Sequence, residues 1–134
     1  MREIKFRAWD KNDAVMRDWE NLMATIYSQK SDNIFDDKGL IITQYTGLKD
    51  RNGKEIYEGD IVEWDDDSNG KYWRVAVVEM DTGIQFRIEK NSKHELSCRE
   101  GYIFNLTNFI YSDTHNWLEI IGNIYKNKEL LKQQ

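Results

Sequence analysis

At the start of the chain Ile4, Phe6 and Ala8 alternate with Lys5, Arg7 and Trp9, the period of two that gives a strand one apolar and one polar face. Asp10-Lys11-Asn12-Asp13 follows as a turn. From Val15 the spacing changes. Val15, Met16, Trp19, Leu22, Met23, Ile26 and Tyr27 recur every three or four residues and predict an amphipathic helix. Ser28 to Gly39 reads as a polar surface loop, Ile34 and Phe35 excepted. Leu40 to Tyr45 is β-rich, Asn52-Gly53 supplies a tight turn, and Glu55-Ile56-Tyr57 resumes extended chain, which together predict a hairpin. Thr46-Gly47 and the corner Glu58-Gly59-Asp60 place further glycines where positive φ is needed.

Beyond the corner, Ile61 to Trp64 predicts a strand, and Tyr72 to Met80, apolar on both faces, predicts a central one. Asp81-Thr82-Gly83 turns the chain into Ile84, Phe86 and Ile88, which alternate with Gln85, Arg87 and Glu89 as the second arm of a hairpin. Asn91 to Glu100 is polar, and Tyr102 to Tyr111 is apolar without a clean period. Trp117 to Tyr125 predicts a last strand in which Leu118, Ile120, Gly122 and Ile124 share a face, Gly122 marking a bulge or a close backbone approach. Asn127 then reads as the N-cap of a short terminal helix.

The expected fold is therefore mainly β: a small antiparallel barrel-like domain, whose run from Gly59-Asp60-Ile61-Val62 through the Asp81-Thr82-Gly83 hairpin resembles the opening of SH3-like barrels, with one short helix in the N-terminal half and a short C-terminal helix. Its 134 residues fit a single domain spanning 1–134, with room for two packed β lobes at about 1–57 and 58–134. A composition 40% hydrophobic and 13% aromatic supplies a core without staples. The net charge of −5 disfavours nonspecific binding to nucleic acid or anionic membranes, which clustered cations would have to drive. One cysteine, Cys98, forms no internal disulfide, and no run approaches the ~18 apolar residues of a membrane span. With no apolar signal segment after Met1, the expected location is the cytoplasm.

Motifs that suggest chemistry have structural explanations. Asp65-Asp66-Asp67-Ser68-Asn69-Gly70 copies half of a calcium loop, but the place of its bidentate glutamate is Ala76, inside a strand, so the segment reads as a solvated loop. Asp81-Thr82-Gly83 resembles an aspartic-protease loop, with Ile120-Ile121-Gly122-Asn123 imitating that class's second element, and is a remote alternative. Ile84 stands where a small residue is needed, and a turn explains the triplet. His94, Cys98 and His115 lack the paired spacing of a structural zinc site. No phosphate loop, nucleophile elbow or metalloprotease helix is present. The expectation is a non-enzyme with no catalytic residues, no metal and no cofactor.

Three blocks stand out in order: Arg2 to Asp10; Gln44 to Asp50 continuing through Gly53 to Val62; and Ile120 to Tyr125 with Glu129-Leu130-Leu131. Together they resemble the YopX family of phage and prophage proteins, and the resemblance spans the chain end to end. It implies a small, largely β phage or prophage accessory protein of unestablished activity.

Two surfaces remain as binding candidates. On the first strand Lys5, Arg7 and Trp9 interleave cations with an aromatic, as single-strand nucleic-acid platforms do. At the C-terminus Leu130 and Leu131 are candidates for an interface between copies of the chain. The leading expectation is a module that binds a protein partner in the bacterial host or phage and also self-associates. The alternative is a single-stranded nucleic-acid binder, which the net charge disfavours.

Overall fold

The computed structural model describes residues 3–28, 39–65, 73–80, 83–91, 103–105 and 118–131. Its strands are β1 (Phe6–Asp10), β2 (Val15–Arg17), β3 (Leu40–Lys49), β4 (Glu55–Tyr57), β5 (Asp60–Asp65), β6 (Trp73–Met80), β7 (Ile84–Asn91), β8 (Ile103–Asn105) and β9 (Glu119–Asn123). They form a four-stranded sheet in the order β2-β1-β3-β4 and a five-stranded sheet in the order β8-β7-β6-β5-β9. The fold is mainly β and antiparallel, as the alternation predicts. The chain packs as two compact units, Met1–Tyr45 and Thr46–Gln134. The division falls inside β3, with Thr46 to Tyr57 in the second unit.

In the first unit β1 is the central strand, with Ala8 opposite Arg17 of β2 and Ile42 of β3. The helix α1 spans Trp19–Ser28, so the expected helical start at Val15 is corrected. Val15 and Met16 fit a helical spacing, but they pair with Asp10 and Trp9 of β1. Asp18 sets the true start: its Oδ1 accepts from the Asn21 N–H at 2.8 Å and its carbonyl from the Leu22 N–H at 2.9 Å, the pattern of an N-cap. The helix buries Leu22, and Trp19 lies 6.0 Å from the Phe6 ring.

In the second unit Ile56, Val62, Trp64, Ala76, Val78, Phe86, Ile88 and Leu118 form one core. Val75 and Val77, on the other face of β6, are buried as well, which bears out its reading as a central strand. Between β5 and β9 the register shifts, Ile61 opposing Gly122 and Val62 opposing Ile120, so Ile121 is the extra residue of a bulge. A Cβ on Gly122 would stand 2.6 Å from Asn127 Oδ1, so the glycine sits beside the bulge and is closely approached, by a side chain and not by another backbone.

Two local readings change. Gly47 has the expected positive φ (85°) but lies within β3, in a strand and not in a turn. The C-terminal helix is a 3-10 helix, Lys128–Leu131, and the Asn127 side chain does not cap it. Asn127 Oδ1 instead accepts from the Asn123 N–H at 3.2 Å, fastening the end of β9.

Candidate functional site

Antiparallel pairing places directly opposed residues on the same face. Arg7 therefore shares a face with Thr43, Trp9 with Ile41 and Met16, and Phe6 and Ala8 point the other way. The alternation thus sorts Lys5, Arg7 and Trp9 together, as expected. They do not form an open platform, since all three are half-buried and Thr43 and Tyr45 beside them are buried. Lys5 is engaged twice, its ammonium lying 3.4 Å from the Glu3 carboxylate and 5.6 Å from the centre of the Tyr45 ring.

One face of the five-stranded sheet carries a second cluster, which the Gln85, Arg87, Glu89 alternation signals only in part. Arg87, on β7, lies directly opposite Val77 of β6 and Ile103 of β8. Its guanidinium reaches Glu79 at 2.8 Å and Glu89 at 3.0 Å, while Gln85 Nε2 donates to Glu79 at 3.1 Å. The Arg87 side chain is nevertheless 46% exposed, and Ile103 beside it is 46% exposed. Ion pairs this exposed add little stability, about 0–1 kcal/mol, but two carboxylates restrict where the guanidinium points. Farther along the sheet Trp73 Nε1 donates to Glu63 at 3.2 Å. The Lys90 ammonium sits 5.9 Å from the Trp73 ring and donates to the Leu130 carbonyl at 3.3 Å. That last bond holds the 3-10 helix, in which Leu130 and Leu131 are half-buried.

The polar residues of the middle sequence block form no open site. Asp50 and Asp60 are each 1% exposed, and their carboxylates accept from backbone N–H groups. Asp50 Oδ1 accepts from Asn52 and Lys54, both at 2.9 Å, and its Oδ2 accepts from Ile120 on β9 at 3.0 Å. Asp60 Oδ2 accepts from Tyr57 at 2.8 Å. The Thr46 hydroxyl donates to the Ile56 carbonyl at 2.6 Å and accepts from the Leu48 N–H at 3.1 Å, so it too is occupied by backbone groups.

The family model described as YopX protein matches residues 5–132, nearly the whole chain. The chain belongs to the YopX family. Among solved structures it is similar to the crystal structure of protein EF1440 from Enterococcus faecalis, at 26% identity over 98% of this chain and 100% of that one, with a TM-score of 0.57. No curated protein matches the sequence.

In this YopX-family chain the middle and last sequence blocks meet in space. Besides the Asp50–Ile120 bond, the Arg51 N–H donates to the Leu118 carbonyl at 2.8 Å, and the Arg51 guanidinium pairs with Glu119. Gly59 donates to the Val78 carbonyl at 2.8 Å and accepts from the Ile124 N–H at 2.9 Å. A Cβ there would lie 3.0 Å from the Tyr125 ring, and the φ of Gly59 is +89°. These residues assemble the fold. Among the described residues no group of three or more His, Cys, Asp or Glu is placed to hold a metal ion. No helix among them is long and apolar enough to cross a membrane. His94, Cys98, His115, Asp81, Thr82 and residues 66–70 lie outside the described residues.

Proposed function

We propose that this YopX-family protein is a non-enzymatic phage or prophage accessory module that binds a protein partner in the bacterial cytoplasm through the Arg87 and Ile103 face. The observation that supports this is the pairing of an exposed isoleucine with an exposed arginine held between Glu79 and Glu89. Partner-binding surfaces concentrate energy in such arginines and apolar anchors, and a side chain already restrained loses less freedom on binding. The cluster sits on paired strands, which fix its geometry better than a loop does. The test is affinity capture from the host cell with wild type, Arg87→Ala and Ile103→Asp side by side. The expected result is one protein retained by wild type and lost by both variants, whose far-ultraviolet circular dichroism stays unchanged. A partner retained equally by all three overturns this assignment.

A second reading uses Lys5, Arg7 and Trp9 for single-stranded nucleic acid. Their alignment on one face beside Tyr45 supports it, and the engagement of Lys5 by Glu3 weighs against it. Salt-sensitive quenching of tryptophan fluorescence by oligonucleotides, lost in Arg7→Ala, is the result that favours it over protein binding. Self-association through Leu130 and Leu131 is read separately, from sedimentation of wild type and Leu130→Asp.

A further inference from the structure

The β3–β4 turn brings together the chemistry of a spontaneous modification. Asn52 and Gly53 are both exposed at its tip, and a Cβ built on Gly53 meets nothing within 4 Å, so solvent and base reach the Asn-Gly peptide. In an open chain such a pair cyclises. The Gly53 amide nitrogen gives up its proton to base and attacks Asn52 Cγ, a new C–N bond closes a five-membered succinimide, and Nδ2 leaves as ammonia. Water then adds to one of the two ring carbonyls and opens the ring to aspartate or isoaspartate.

The fold opposes each stage. The attacking nitrogen is committed, because the Gly53 N–H donates to the Asp50 carbonyl at 3.0 Å. The peptides on either side are held by one carboxylate oxygen, Asp50 Oδ1, which takes the Asn52 and Lys54 N–H groups at 2.9 Å each. Deprotonating Gly53 there would place a nascent amide anion beside a carboxylate, and like charges raise that cost. Closing the ring also requires the Asn52–Gly53 peptide to rotate out of the turn. The Asp50 carboxylate is itself fixed by its second oxygen to Ile120 on β9. The left-handed Gly53, at φ +80°, is held between the Asp50 carbonyl and the Lys54 N–H bond to the same side chain.

We infer that Asn52 is a succinimide-forming modification site whose conversion to aspartate or isoaspartate is gated by Asp50, so that it proceeds only when the turn opens from β9. The product compounds the opening. Isoaspartate adds a methylene to the backbone, and the turn can then no longer hold both the Gly53 bond to Asp50 and the Asp50 N–H bond to the Lys54 carbonyl, now 2.8 Å.

The experiment incubates the full-length protein in mildly alkaline buffer. It follows amide-to-acid conversion at Asn52 by peptide mapping, which separates this site from Asn69-Gly70, the other Asn-Gly pair in the chain. The references are a synthetic peptide of residues 48–56 and the same full-length protein in concentrated urea. Conversion in the folded protein is expected to be slower than in either by at least about tenfold, the scale of a closed, hydrogen-bonded segment. Asp50→Ala is expected to bring the folded rate most of the way to that of the peptide. Equal rates for the folded protein and the peptide overturn the inference. So does a folded Asp50→Ala protein that converts no faster than wild type. Should that variant not fold, the comparison of wild type in buffer and in urea decides alone.

Discussion

Two turns in this molecule are built on the same device and do different work. In the β1–β2 turn Asp10 Oδ1 accepts from the Asn12 and Asp13 N–H groups at 3.0 and 3.1 Å, and Oδ2 takes Arg17 at 3.0 Å. In the β3–β4 turn Asp50 Oδ1 likewise accepts two N–H groups from just ahead, but Oδ2 takes the Ile120 N–H, 70 residues away. Arg17 also reaches Asp13 at 2.8 Å, so the first cluster stays local and partly exposed. The lesson is that a turn-forming aspartate becomes a structural hub through its second oxygen. Pointed at a neighbouring cation it trims one hairpin; pointed at a distant backbone it ties the hairpin to a strand far along the chain.

The strongest challenge to this contrast is Asp50→Ala. It leaves three part-buried backbone donors without their acceptor and is expected to cost about 2–4 kcal/mol in urea denaturation. A loss no larger than that of Asp10→Ala would erase the distinction. Gly53→Ala separates the turn backbone from the carboxylate. Its Cβ meets nothing, so only the left-handed φ is penalised, and about 1–2 kcal/mol is expected. A larger loss would mean that the turn, and not the reach to β9, holds the region. Arg51→Ala removes the ion pair with Glu119, exposed at 53% and 30%, and should cost less than about 1 kcal/mol in the same assay.

The smallest effect belongs to acid. The Asp13 N–H, with help from Arg17 and the Asn12 N–H against partial desolvation, holds the Asp10 carboxyl below its ordinary value. A depressed carboxyl contributes stability above the unfolded pKa, which is lost as pH falls through the lower, folded value. The Asp10 carboxyl resonance in NMR should therefore titrate below the usual aspartate range. In Arg17→Ala its midpoint should rise yet stay depressed, because the Asp13 N–H remains. Full return to the ordinary value would make Arg17 the main cause.

How far the sequence disclosed this arrangement depends on the range of each interaction. Period-two strands, the Asn-Gly turn, the Gly59 corner and the Gly122 irregularity follow from local sterics and alternation, and they appear where the pattern puts them. The helix start was also legible, in Asp18 followed by Asn21 and Leu22, but the apolar spacing from Val15 masked it. What pattern reading could not reach is the destination of a side chain. Nothing near Asp50 marks it as bound to Ile120, and nothing near Asn127 directs its amide backward to Asn123 in place of the helix ahead. The candidate site divides in the same way. Alternation sorted Lys5, Arg7 and Trp9 onto one face, but burial of Tyr45 and Thr43 beside them depends on tertiary packing. The Arg87 and Ile103 pair needs the register of β7 against β8, which no local signal supplies.

The pairing of β5 with β9 has a consequence in time. Synthesis runs from the N-terminus, so β5, β6 and β7 exist before β9 is made. Until Glu119 to Asn123 emerge, β5 presents an open edge over buried Ile61 and Val62, and the Asp50 carboxylate has only its own turn to hold. Long-range closure of this kind is slow to form, and open edges invite pairing with other chains. The half-made protein is therefore the form most exposed to misassociation, and the last strand ends that interval.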